Sequence, residues 1–170
     1  MPLLDAHADF QRARRAHIAA RAVRWLPTRR TRQSHPRALS DVHALAWTAS
    51  HLRVIPLDAI VGTVEATTDF DAEFRPTTNR ISARWHRVAL AHRRGHSLPP
   101  ITAIEGPDGY YITDGRHRVS VARARGQTDI EAWVNPTLPT AGHGSSVPSP
   151  TGAPRDRDER WLDNDMRAGP

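Results

Sequence analysis

Residues Tyr110-Tyr111-Ile112-Thr113-Asp114-Gly115-Arg116-His117-Arg118-Val119-Ser120-Val121-Ala122-Arg123 constrain the fold more than any other stretch of the chain. The opening is a β-prone apolar run, Asp-Gly is a tight-turn pair, and the remainder has helical spacing. The segment therefore reads as strand, turn, helix. Its helix opens with Arg-His-Arg. A helix N-terminus already carries unpaired N–H groups and a partial positive charge. Three cationic or potentially cationic side chains there oppose the helix dipole, so something should compensate. An anion held between the N–H groups and the side chains would do so, and phosphate is the usual one. The alternative is a capped helix whose arginines point into solvent or pair with carboxylates.

Composition narrows the chemistry. The chain has 170 residues and no cysteine, which excludes disulfides, thiolate catalysis and Cys-ligated zinc. All 24 basic residues are arginine. Without lysine there is no Walker-type phosphate loop and no Schiff base. No stretch has the length and apolarity of a membrane span or a signal peptide, so a cytoplasmic protein without a membrane partner is expected. The ten histidines show no convincing metal-ligand spacing, and any metal site stays unknown.

Charge is unevenly placed. Residues 1–53 hold ten Arg against three acids, a net +7, whereas residues 54–135 balance at ten against ten and residues 136–170 sum to −1. The basic excess sits in the N-terminal arm. It suits an acidic partner, nucleic acid such as DNA or an acidic protein surface, or else it is a solvated helix face.

Along the chain, residues 8–24 have loose helical spacing, and a second helix is expected from Ser40 to about His51, with Ser40 or Asp41 as its N-cap. Val54 to Leu57 reads as extended, with Pro56 confining it to a sheet edge or strand start. Residues 58–64 give a turn and a strand. An acidic loop follows, carrying Glu65, Asp69, Asp71 and Glu73 around the anchors Phe70 and Phe74. Residues 78–94 form the best helix, with Ile81, Trp85, Val88, Ala89 and His92 on one face and Gly95 as its stop. Strands 101–105 and 110–113 make a hairpin, a helix spans 116–125 up to Gly126, and Ile130 to Val134 is a last strand with alternating sides. Trp85 and Trp133 are expected in the core, and His92 at its boundary. Beyond Asn135 the composition predicts disorder, with Trp161-Leu162 as a candidate docking motif.

The order strand, acidic loop, helix, hairpin, helix, strand is that of a compact α+β unit. Leu98-Pro99-Pro100-Ile101, the hairpin ending in Asp114-Gly115-Arg116-His117-Arg118, the helix and the strand 130–134 together resemble the ParB/sulfiredoxin superfamily over residues 54–135. The resemblance implies a small mixed sheet with packed helices, here preceded by an arginine-rich helical extension over 1–53 and followed by a tail over 136–170.

Sulfiredoxins carry cysteine where this chain has Arg116, so their chemistry is absent. Chromosome-partition ParB proteins bind a nucleoside triphosphate at a Gly-Glu-Arg-Arg box, of which Gly115 and Arg118 match. Free-serine kinases and related proteins have an Asp-Gly-His-His-Arg turn, the nearest local match. The resemblance thus implies a phosphate or nucleotide site at Asp114, Gly115, Arg116, His117 and Arg118, with CTP, ATP or ADP and Mg²⁺ as candidate ligands. Gly115 would admit a close backbone approach, Arg118 would clamp phosphate, and His117 would donate a hydrogen bond or act as acid–base. Asp114 reads as N-cap or as a ligand of Mg²⁺ or substrate. Asp69 and Asp71 are each read as an ion-pair partner of Arg116 or Arg118, or as a base or metal ligand. The leading expectation is a regulatory or DNA-associated nucleotide-binding protein, with the 1–53 arm touching DNA. The alternative is a small-molecule kinase whose base is a carboxylate of the 65–73 loop. A nuclease or a non-catalytic adaptor ranks below both. Nucleotide hydrolysis, nucleotide identity and oligomeric state are left open.

Overall fold

The structure is a computed structural model that describes residues 2–23, 35–38, 46–47, 50–106 and 108–138. Helix α1 spans Pro2–Val23, α2 Ser82–Arg93 and α3 Arg116–Ala124. Strands are β1 Arg37–Ala38, β2 Ala46–Trp47, β3 His51–Pro56, β4 Ile60–Thr63, β5 Ile101–Gly106, β6 Gly109–Asp114 and β7 Asp129–Leu138, with a 3₁₀ turn at Leu57–Ala59. Among the described residues the sheet runs β1-β4-β6-β5-β7-β2, and β3 also pairs with β7. β5–β6 and β3–β7 are antiparallel, while β4–β6 and β5–β7 are parallel. The sheet is mixed and the fold is α+β, as the element order predicts.

Two buried clusters hold it together. The first lies between the sheet and α3, where Ile55, Ile101, Ile112, Val134, Val119 and Ala122 meet. β5 contributes Ile101 and Ala103 and β7 Ala132 and Val134, alternate residues as a half-buried pleat requires. The second lies among the helices. Phe10 of α1 and Trp85 of α2 pack edge to face at 5.4 Å, against Phe70, Val88 and Val121. Trp85 buries its indole completely and donates Nε1–H to Ser120 Oγ at 2.9 Å. The arginine-rich N-terminal segment therefore contributes a helix to the core. Its Asp9 is tied to Arg93 of α2 at 2.6 Å, and its His17 donates Nδ1–H to Asp71 at 2.9 Å.

Three expectations change. The predicted helix from Ser40 to His51 does not form over its described part, because Ala46–Trp47 and the strand from His51 both pair with β7. Pairing with a neighbouring strand overrides local helix signals. β7 also runs on to Leu138, past the expected strand end. Trp133 is 42% exposed, because the alternation that buries Ala132 and Val134 turns it outward. The anchors Phe70 and Phe74 are buried, and Pro56 ends β3, which pairs with β7 on one side. The tail from residue 139 onward, with Trp161-Leu162, lies outside the described residues. Among the described residues no helix is long and apolar enough to cross a membrane.

Candidate functional site

The hairpin β5–β6 delivers Asp114 to the foot of α3, and Gly115 turns the chain into the helix with φ +99° and ψ 19°. This left-handed conformation favours glycine. A Cβ there would lie 2.5 Å from Ile101 Cγ2, so the position excludes side chains on two grounds. Gly115 is itself the N-cap. No side chain caps α3, and its first turn contains no acidic residue. The N–H groups of the first turn of α3 thus have no side-chain acceptor.

Asp114 is not a helix cap. Its carboxylate accepts from Arg118 Nη2 at 2.6 Å and remains about half exposed. Arg118 is not placed as a phosphate clamp. It is 4% exposed, and Nη1 donates to the carbonyls of Pro99 at 2.6 Å and Pro100 at 2.9 Å. Position 118 lies on the side of α3 that also carries Val119 and Ala122 into the core, so the guanidinium is drawn inward and braces the loop leading to β5.

Asp71 is likewise structural. It is 4% exposed; Oδ1 accepts the N–H groups of Glu73 and Arg75, and Oδ2 accepts Arg75 Nε at 2.8 Å and His17 Nδ1 at 2.9 Å. No acceptor position remains for a substrate proton. Asp69 pairs with Arg80 at 2.6 Å, and Glu73 pairs with Arg75 at 2.7 Å. Neither aspartate reaches Arg116 or Arg118 as an ion-pair partner. Arg116 instead meets the exposed Glu65 at 3.4 Å, a long and weak contact.

His117 lies edge-on to Phe70 at 5.3 Å. Its Nε2 is buried and has no hydrogen-bond partner among the described residues. Burial first, then the neighbouring charges of Arg84 and Arg116, push its pKa down to about 4 against the opposing pull of Asp69 and Asp114. The imidazole is neutral at physiological pH. Arg84 is the group that sequence reasoning missed. It lies on α2, far from the turn in sequence, and only the packing of α2 on α3 brings it beside His117.

The start of α3 thus combines a buried Gly115, N–H groups that no side chain caps, the part-exposed Arg116 and a neutral His117, with Arg84 near and the half-exposed Asp114 before them. Asp69 contributes a paired carboxylate beside it, and Asp71 lies apart in its own hydrogen-bond node. This arrangement leaves helix N–H donors without a side-chain acceptor, and the carboxylates of the 69–73 loop are all engaged in ion pairs.

No protein-family model matches the chain, and no curated protein matches it. Among solved structures, a crystal structure of sulfiredoxin from Arabidopsis thaliana aligns with a TM-score of 0.37 and 20% identity, covering 49% of this chain and 83% of that chain. A likeness of that degree carries nothing about what the turn binds.

Proposed function

We propose that this chain binds a phosphate group, carried by a nucleotide, at the turn 114–118. The observation that supports the reading is the start of α3: a left-handed glycine, no side-chain cap and no acid in the first turn. Uncapped N–H groups at a helix start are ready donors to an anion. Arg116 supplies the charged ligand, since its contact with Glu65 is long and lies in solvent. Neutral His117 supplies a hydrogen bond. Arg118 acts as a positioning residue, holding the loop 98–100 to the helix. In this reading the Asp114 carboxylate, half exposed and held by Arg118, takes the Mg²⁺ ion that accompanies a nucleotide.

Calorimetric titration with CTP, ATP, ADP and GTP, each with Mg²⁺, and with inorganic phosphate tests this. Wild type binds at least one nucleotide. Arg116→Ala weakens that ligand roughly tenfold or more, because a charge-assisted hydrogen bond contributes about 1.5–3 kcal/mol. Absence of heat with every ligand at millimolar concentration overturns the reading.

A further inference from the structure

Charge in this fold is sorted by layer. The three helices carry ten arginines and two carboxylates, Asp5 and Asp9. Both carboxylates lie on α1 and both face Arg93, Asp9 buried and Asp5 about half exposed. Asp9 is 4% exposed and accepts from Arg93 at 2.6 Å and Arg12 at 3.1 Å, with Arg125 at 3.8 Å; Asp5 lies 3.7 Å from the same Arg93. Outside the helices arginine and carboxylate mostly match, as in Arg53–Glu105, Arg75–Asp71 and Arg80–Asp69.

What is left over lies on α1 and at the end of α2. Arg15, Arg21 and Arg94 are exposed and have no hydrogen-bond or ion-pair partner among the described residues. Arg12 is 72% exposed and shares an aspartate that Arg93 holds more closely. Helix C-termini favour cations, which accounts for tolerance of Arg21 and Arg94 but does not cancel their charge. Asp9 meets Arg93 beyond the end of the run in which Phe10 meets Trp85, and Arg14 bonds Asn79 ahead of α2, so the two helices run antiparallel. The unneutralised guanidiniums are therefore spread over the α1–α2 pair: Arg12 and Arg15 lie on the side of α1 away from Phe10, and Arg21, four residues on from His17, lies past the end of the buried stripe. Arg12 to Arg21 alone span about 14 Å of helix.

We propose that α1, through Arg12, Arg15 and Arg21, with Arg94 at the C-terminal end of α2, binds the phosphate backbone of nucleic acid without reading its bases. Guanidinium is weakly hydrated and forks onto phosphate oxygens, and several unneutralised ones on one helix pair suit a polyanion that carries many phosphates. An acidic protein partner would call for an apolar centre with aromatic anchors, and the large exposed hydrophobics of the described helices are only Leu3, Leu4 and Ile18. A lipid surface would call for a continuous apolar face, and the apolar face of α1 (Ala6, Phe10, Ala13) is already buried in the core. This surface shares no residue with the turn 114–118, so substitutions can be made in either without touching the other.

The test uses the full chain and a labelled short DNA duplex of mixed sequence, with binding followed by fluorescence anisotropy over a range of salt. Wild type binds at low salt with a steep negative salt slope, to which each phosphate contact contributes about 0.9. The triple variant R15Q/R21Q/R94Q, checked by thermal unfolding, lowers that slope by about 3, and R15Q alone lowers it by about 1. Arg116→Ala leaves the duplex slope unchanged while weakening mononucleotide binding. No duplex binding at low salt, or an unchanged slope in both Arg15 variants, overturns the proposal. So does tighter binding of polyglutamate or of phosphatidylserine vesicles than of the duplex.

Discussion

Arg118→Met separates a brace from a clamp. The substitution keeps an unbranched apolar stem and deletes the guanidinium. In the folded protein that group donates to two carbonyls, Pro99 O at 2.6 Å and Pro100 O at 2.9 Å, and to Asp114 at 2.6 Å. A hydrogen bond from a charged donor contributes about 1.5–3 kcal/mol. The Asp114 contact adds only about 0–1 kcal/mol, because that carboxylate is half exposed and stays solvated when released. Allowing for non-additivity within one network, the loss is about 3–5 kcal/mol. For a chain of this size it corresponds to a fall in Tm of about 10 °C or more. Urea unfolding followed by far-ultraviolet circular dichroism and tryptophan fluorescence measures it. Arg118→Lys keeps the charge but not the fork, so it recovers only part of the loss. The folded fraction of Arg118→Met still binds nucleotide as wild type does, whereas Arg116→Ala binds it roughly tenfold or more weakly. Unfolding free energy within about 0.5 kcal/mol of wild type refutes the brace, and so does abolished binding in Arg118→Met beside intact binding in Arg116→Ala.

Three further outcomes follow from the same geometry. The His117 pKa lies near 4 in the folded protein and near its ordinary 6.5 when unfolded, so the unfolded state binds the extra proton between those values. Stability is therefore complete above about pH 6.5 and falls as the pH drops towards 4, by about 3 kcal/mol from this group, and His117→Gln flattens that part of the profile in urea titrations at stepped pH. Gly115→Ala forces both a left-handed φ and a clash with Ile101, and it lowers stability by at least about 1–3 kcal/mol; a Tm equal to wild type would contradict the turn. Ser120→Ala strands the buried Trp85 N–H, which costs about 1–3 kcal/mol, read by calorimetric unfolding together with a shift in tryptophan emission.

Much of this was legible in the sequence, and what was not has a common cause. The helix at 116–124, the hairpin before it and the helix around Trp85 are set by local periodicity and by glycines at 95, 115 and 126, all with positive φ. Trp133 was readable too, since burial of Ala132 and Val134 on one face of a strand sends residue 133 to the other. The segment before His51 was not readable. Ser40 and Asp41 are good cap residues, but whether Ala46–Trp47 becomes strand depends on Thr137 and Leu138 across the sheet. The partners of Asp71 were hidden for the same reason. One is His17, on a helix that only tertiary packing brings to the loop.

The conflict posed by three basic side chains at a helix start resolves differently for each. Arg118 turns inward, where two carbonyls and Asp114 offset its charge. His117 is held neutral by burial, with Arg84 and Arg116 adding to the effect. Arg116 keeps its charge at the mouth, with Glu65 too far away to neutralise it well. The first turn therefore opposes the helix dipole with about one charge, and about one anionic group relieves it. That sets a modest scale for the turn by itself. One arginine fork with uncapped N–H groups holds inorganic phosphate weakly, and tighter binding has to come from the rest of the ligand. The larger the gain from phosphate to nucleotide in the calorimetric series, the more of the recognition lies outside the turn. A gain confined to Mg²⁺-bearing nucleotides would locate it at Asp114.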